Sequence, residues 1–407
     1  MAASPSSSPG SPHPLRERNF RMFWAGAAIS LLGDQFYLVA LPWVVLQLTG
    51  SAVAVGTVLM AAAIPRSVLM LIGGVVTDRV SPRRIMMNTA SARTFFVAAI
   101  GILLWYRALH MWELYLLGFA FGVADAFSLP AASSFLPSLV KREQLVAANS
   151  IFQTTAQLTT IAGPAPAALV IKALGLAWAF FLDAVSFLFI IAALWRLPDP
   201  PAPQAPVKRP PMGKAILEGI ASIRQDVPLL SLMLLAAMLN FCITGPMGVG
   251  LPYLAKTRFG SPTSYAILVS ALAGGSLIGS LAAGLWRVRR PGVLLLCACV
   301  VISLCLGSIA LPHHLWLIAG LLLLMAASAG LANVNIAAWI QQRVDPAIRG
   351  RVLSVLMLAG FGLFPLSLAA AGFLIAWNVR WTFLLAGAAM LVVTGIGALQ
   401  KQVRTIE

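Results

Sequence analysis

Residues 73–84 read GGVVTDRVSPRR, and the chain returns to the same theme at 279–290 as GSLAAGLWRVRR. Gly73 aligns with Gly279 and Arg83–Arg84 with Arg289–Arg290, an offset of 206 residues in a chain of 407. Two further matches stand at nearly the same offset. Leu41–Pro42 and Gly50–Ser51 recur as Leu251–Pro252 and Gly260–Ser261, 210 residues on. VKREQLVAANS at 140–150 parallels VDPAIRGRVLS at 344–354, 204 residues on. Matches near half the chain length point to a duplicated unit, so the fold is two similar halves rather than one large core.

Composition says what those halves are made of. Hydrophobic residues are 60% of the chain, charged residues 10%, and the mean hydropathy is +0.90; a soluble domain carries roughly 25% charge. So few charges cannot clothe a water-facing surface, and lipid must be the solvent for most side chains. Apolar runs lie near 20–48, 51–77, 85–106, 112–140, 145–172 and 176–196, then near 228–256, 262–286, 292–311, 314–342, 349–376 and 379–399. Runs of this length fit helices in lipid, where each segment must satisfy its own backbone polar groups. The expected fold is therefore an all-α membrane protein of twelve transmembrane helices in two six-helix pseudo-repeats.

The basic residues orient it. With the N-terminus inside, 21 of the 28 Lys and Arg fall on the inner loops and 5 on the outer ones, while Arg66 and Arg93 fall within spans. That asymmetry places both termini in the cytoplasm, and the low Lys share with high Ala/Arg usage suggests a bacterial inner membrane. The net charge of +16 is thus a topology signal dispersed over helix ends, and nucleic-acid binding is excluded. The Ser/Pro-rich start is followed by an apolar run too long for a cleaved signal peptide, so the first span stays in place. The expected organisation is a disordered cytoplasmic N-terminus (1–19), an N-terminal six-helix bundle (20–196), a Pro-rich cytoplasmic linker (197–227), a C-terminal six-helix bundle (228–399) and a cytoplasmic tail (400–407). The cysteines, Cys242, Cys297, Cys299 and Cys305, lie in apolar segments with no zinc spacing. No histidine has a metal-ligand partner at helical spacing. GGVVTD lacks the Gly-Lys-Ser/Thr ending of a phosphate loop, which removes ATP as the energy source. The expectation is no metal, no cofactor and no enzyme.

The loop after the second span resembles the signature loop of the major facilitator superfamily, through Gly74, Asp78, Arg79, Arg83 and Arg84. LLGDQFYLVALPWVVLQLTGS in the first span and PAASSFLPSLVKREQLVAANS at 130–150 resemble the branch that contains enterobactin and macrolide exporters. The resemblance covers nearly the whole chain. It implies the major facilitator fold, a substrate site between the halves and a gating role for the signature loop. TTIAGPAPAA at 159–168 is similar to the exporter motif of the fifth span, with Gly163 and Pro164 matching and Thr159, Ala167 and Ala168 standing where glycines are usual. The second copy of the signature loop has Gly284 at the position of Asp78, so a charge-based latch there is asymmetric.

Asp34 draws attention on physical grounds alone. At 1.5 Å per residue it lies about 20 Å from the cytoplasmic end of its span, where a carboxylate is costly unless it faces a cavity or a partner. Such an acid suits a proton-coupled carrier, and it suits a cationic substrate. The repeat places Asn240 or Thr244 opposite it in the second half, and neither titrates. Arg66, Arg93 and Asp125 are further charges at membrane depth, and arginine in a span needs a carboxylate or carbonyl partner. A cluster of Asp34, Asp125 and one of the arginines is expected. Asp183, seven residues from the outer end of its span, is expected near water. Asn240, Asn333, Asn335, Gln341, Phe361 and Phe364 would suit an amphipathic or aromatic substrate. Tryptophans at span ends, including Trp105, Trp112, Trp178 and Trp381, read as interfacial anchors.

Together these features favour a monomeric secondary transporter that exports small amphipathic molecules (drugs, macrolides or siderophores) by proton antiport. Its partners are the small-molecule substrate, protons and membrane lipid. A metabolite importer or facilitator, a lipid flippase and a non-transporting receptor are the alternatives.

Overall fold

The computed structural model describes residues 13–77, 80–199, 227–285, 290–343 and 362–399. Every regular element in it is helical. The first half contains α1 (Arg18–Thr49), α2 (Ala52–Thr77), α3 (Pro82–Trp105), α4 (Met111–Phe135), α5 (Leu145–Ala162), α6 (Pro164–Leu174) and α7 (Leu176–Arg196). The second contains α8 (Val227–Gly245), α9 (Pro262–Leu285), α10 (Pro291–Ser308), α11 (Leu315–Arg343) and α12 (Phe364–Leu399). Wide turns at Pro246–Gly250 and Ala255–Phe259 carry α8 on to Gly260.

Among the described residues ten helices are long and apolar enough to cross a membrane. Two features raise the number of crossings to twelve. α5 and α6 are one span interrupted at Gly163, since Pro164 and Pro166 donate no backbone hydrogen bond. α12 is two spans: Asn378 leaves the helical region (φ −164°, ψ 116°), and its side-chain carbonyl accepts the backbone N–H groups of Arg380 and Trp381 at 2.9 and 3.2 Å, capping the final arm. The expected linker at 197–227 and the start of the eleventh span lie largely outside the described residues.

The duplication is visible in the turns. Gly50 (φ 65°) ends α1 and Gly260 (φ 63°) ends the segment that continues α8, both in the left-handed conformation where a β-carbon would be strained. Each is followed by the serine the sequence repeats. Ser51 Oγ accepts the N–H of Ala54 at 3.3 Å, and Ser261 Oγ that of Thr263 at 3.2 Å. Packing repeats as well. α4 lies against α2 and α3, as α11 lies against α9 and α10, while α1 and α3 both pack on α7.

The halves meet along two seams that the repeat exchanges, α2 with α12 and α5–α6 with α9. The first is tightest at the arginine-poor end, which carries Gly50 and Gly260. A β-carbon on Gly56 of α2 would stand 2.5 Å from the carbonyl oxygen of Leu368 and 3.1 Å from Cα of Gly372, both on α12. Small residues here let two backbones touch, as membrane helices require when dispersion contacts replace the hydrophobic effect. At the same end Lys256 Nζ donates to the carbonyl of Leu46 on α1. The two residues are 210 positions apart, the offset of the repeat, so they meet close to the pseudo-twofold axis.

Candidate proton and substrate site

Five helices of the first half bring their charged residues to one place. Asp34 and Tyr37 come from α1, Arg66 from α2, Arg93 from α3, Phe121 and Asp125 from α4, and Asp183 and Phe187 from α7. Phe121 and Asp125 are one helical turn apart, as are Asp183 and Phe187, so each pair shares a helix face. An acid and a phenyl ring thus point inward together from both α4 and α7.

Arg93 is the hub. Its guanidinium donates through Nη2 to Oδ1 of Asp34, and its Nη1 lies 3.7 Å from Oδ1 of Asp125. It is held between two rings, 4.7 Å from the Phe121 centroid and 4.4 Å from that of Phe187, each an attractive face for a cation. Arg66 completes the chain, with Nε 3.2 Å from Oδ2 of Asp125. The expected cluster therefore forms with both arginines rather than one. Its members differ in access: the side chain of Arg93 is 10% exposed, that of Asp34 23% and that of Arg66 52%.

Asp183 is placed differently from the expectation. It is fully buried because α7 packs on α1 at Gly33, where a β-carbon would stand 2.8 Å from Oδ1 of Asp183 and 1.9 Å from Oγ of Ser186. Counting residues from a span end cannot reveal that a glycine on the neighbouring helix lets two backbones close over a carboxyl. The Ser186 hydroxyl donates to the backbone carbonyl of Asp183 at 2.7 Å. Tyr37, stacked on Phe121 at 4.5 Å, is the other buried polar member that sequence reasoning missed.

Other expected residues fall elsewhere. Asn240 is exposed on α8 and donates to the carbonyl of Ala236 in its own helix at 2.9 Å. Gly163 and Pro164 pack α5–α6 on α1. A β-carbon on Gly163 would stand 2.4 Å from Cγ of Gln35, next in sequence to Asp34. In the signature loop, Gly74 lies within α2, while Asp78 and Arg79 lie outside the described residues. Arg83 is engaged within its own half: its Nε and Nη2 donate to the carbonyls of Leu194 and Trp195 at 2.6 and 3.0 Å, capping α7, and its Nη1 lies 3.2 Å from Asp199. Arg84 reaches Asp199 at 3.9 Å. The Arg83 hydrogen bond, aided by the Ser81 hydroxyl, holds the exposed Asp199 carboxyl below the usual carboxylate range.

This clamp ties α3 to α7. Arg83→Gln is expected to lower stability by about 1–2 kcal/mol through two lost carbonyl caps, read as a fall in the unfolding midpoint in detergent. A depressed carboxyl stabilises the fold above its ordinary pKa and loses that contribution as pH falls through the folded value. The gap between wild type and Asp199→Asn should therefore close on acidification.

Twelve spans in two repeated bundles define a membrane transporter of the major facilitator superfamily. The chain belongs to the transmembrane secretion effector family, whose model matches residues 9–407. It is 25% identical over 395 residues to macrolide efflux protein A of Streptococcus pyogenes, covering 95% of this chain and 97% of that one. It is 28% identical over 391 residues to the multidrug efflux pump Tap of Mycolicibacterium fortuitum, covering 92% and 94%. Its fold resembles the crystal structure of the nucleoside transporter NupG with a TM-score of 0.74 at 12% identity, covering 94% of this chain and 98% of that one. Family membership places the chain among transporters rather than enzymes.

Proposed function

We propose that the chain exports small amphipathic molecules of the drug, macrolide or siderophore class by proton antiport, with Asp34 as the carboxyl that exchanges the proton. The observation that carries this is the distribution of acids. Beyond Asp226 the only ones are Asp345 and Glu407, so every carboxyl at membrane depth belongs to the first half. Of these, Asp125 is flanked by two guanidiniums and Asp183 is closed off, whereas Asp34 pairs, among the described residues, with Arg93 alone and keeps part of its side chain exposed. A proton arriving on Asp34 removes its attraction for Arg93 at the least cost in other contacts.

In this reading the bundles 20–196 and 228–399 rock about a central cavity in a bacterial inner membrane, with both termini cytoplasmic. Asp78 and Arg79 of the signature loop latch the cytoplasmic side, while Arg83 and Arg84 keep the first bundle rigid. Asn240 lines the substrate path from the second half. The efflux proteins to which the chain is similar support the export direction.

The test is efflux of dyes, macrolides and siderophores from cells expressing the wild type or Asp34→Asn, with and without a protonophore. At least one compound should leave faster with the wild type, and both the substitution and the protonophore should abolish the difference. Efflux that persists in the variant would remove Asp34 from the coupling step.

A further inference from the structure

Three buried polar atoms in the first half find no hydrogen-bond partner among the described residues: Oη of Tyr37, Nε of Arg93 and Oδ2 of Asp183. An orphaned buried group is uncommon and costly, and three near one another call for a reason. α7 brings them into register. Its Phe180 meets the Tyr37 ring edge-on at 6.1 Å, and its Phe187 lies 4.4 Å from the Arg93 guanidinium carbon. Asp183 is three residues past the first ring and four before the second, on the same face of the helix. Asp183 therefore lies on α7 between the residue that meets the Tyr37 ring and the one that meets the hub arginine, and all three polar residues are more than nine-tenths buried.

Charge counting then constrains the state. α1 brings Asp34 and Tyr37 toward Asp183, α3 brings Arg93, and Asp125 and Arg66 lie behind Arg93; α6, the other helix on α7, carries only Lys172 near its arginine-poor end. Among the described residues, three carboxyls thus face two guanidiniums. Arg66 matches Asp125, and Arg93 matches one of the other two. An unmatched carboxylate with no exposure would bear the full desolvation cost of a charge in hydrocarbon.

We propose that Asp183 is a second, buried proton-binding site that alternates with Asp34 as the partner of Arg93. This rests on the proton-coupled reading of Asp34 above and deepens it. While Asp34 is the carboxylate paired with Arg93, Asp183 is the neutral acid and its proton sits on Oδ2 facing Tyr37. When Asp34 takes a proton from water on its exposed side, Arg93 turns to Asp183. The Asp183 O–H bond breaks and its proton passes through the Tyr37 hydroxyl to water on the far side. One proton enters and one leaves, so the cluster is neutral both before and after the exchange. Arg93 needs no new residue to make the switch, because its unpaired Nε is available and both rings follow it as a flat, polarizable track.

The full-length protein in lipid nanodiscs tests this by infrared spectroscopy at neutral pH, through the carbonyl stretch of a protonated carboxylic acid. The wild type should show such a band from a buried, slowly exchanging group, and Asp183→Asn should lose it. Asp34→Asn should lose it as well, because Asp183 must then ionise to pair with Arg93. No band in the wild type would overturn the proposal without reference to any variant, so a variant that fails to fold does not protect it. A band that survives Asp183→Asn would overturn it too. A band lost in Asp183→Asn but kept in Asp34→Asn would defeat the alternation. None of these readings involves export, so the efflux assay above can fail or succeed independently.

Discussion

Arg93→Met is expected to abolish transport and to destabilise the protein by about 3–5 kcal/mol, the cost of breaking a buried ion pair by removing one partner. The size follows from what the guanidinium serves. Among the described residues it is the only cation paired with Asp34, it shares Asp125 with Arg66, and it fills the gap between the Phe121 and Phe187 rings. Methionine replaces some of the volume and none of the charge. Arg66→Met should behave differently, since that side chain is half exposed and Asp125 keeps Arg93 within 3.7 Å; a cost of about 1 kcal/mol or less is expected. Unfolding of both variants in the same detergent decides the matter, and equal stabilities would contradict the assignment of Arg93 as hub. A second substitution sharpens the test. Asp34→Asn in the Arg93→Met background removes the stranded carboxylate and should restore part of the lost stability, because replacing both partners is cheaper than replacing one.

Much of this site was legible in the sequence because charges are rare in it. With charged residues only 10% of the chain, a charge well inside an apolar run is a conspicuous departure from the lipid solvent, and Asp34, Asp125, Arg66 and Arg93 were each visible as such. That they converge follows from the same cost, since each needs a partner at its own depth. What the sequence hid was set by helix rotation and backbone approach. Asp183 sits near a span end, yet Gly33 on the next helix lets α7 close over it. Phe121 and Phe187 resemble any other aromatic residue in an apolar run until their helices are turned toward Arg93. The repeat was legible from Gly50–Ser51 and Gly260–Ser261, and it also relates Leu46 to Lys256, separated by the same 210 residues; residues related by a pseudo-twofold axis can touch only close to it. Arg83 reads as part of a gating loop in sequence because its partners, two backbone carbonyls at the end of α7, carry no side-chain signal.

The seam at the arginine-poor end yields the other large effect. Gly56→Leu cannot be accommodated where a β-carbon alone would stand 2.5 Å from the Leu368 carbonyl and 3.1 Å from Cα of Gly372, since backbone, unlike a flexible side chain, cannot turn away. Two outcomes are open to the chain: strain of about 1–3 kcal/mol in this arrangement, or separation of α2 from α12. In a transporter that alternates between states, about 2 kcal/mol against one of them changes the population ratio roughly thirtyfold. The strain falls only on states in which the two helices touch here, so the chain should move to those in which they part. Spin labels at Arg107 in the first half and His313 in the second report on this end, and their mean separation should increase in Gly56→Leu, with transport lost because the contact cannot re-form. Gly274→Leu is the matched control. It adds the same side chain to α9 at a position where a β-carbon would meet no atom within 4 Å, and should leave both the distance and the transport unchanged. A folded Gly56→Leu protein with the wild-type distance distribution would mean that α2 and α12 yield at this contact, and that the Gly56–Gly372 approach sets no boundary on the conformational cycle.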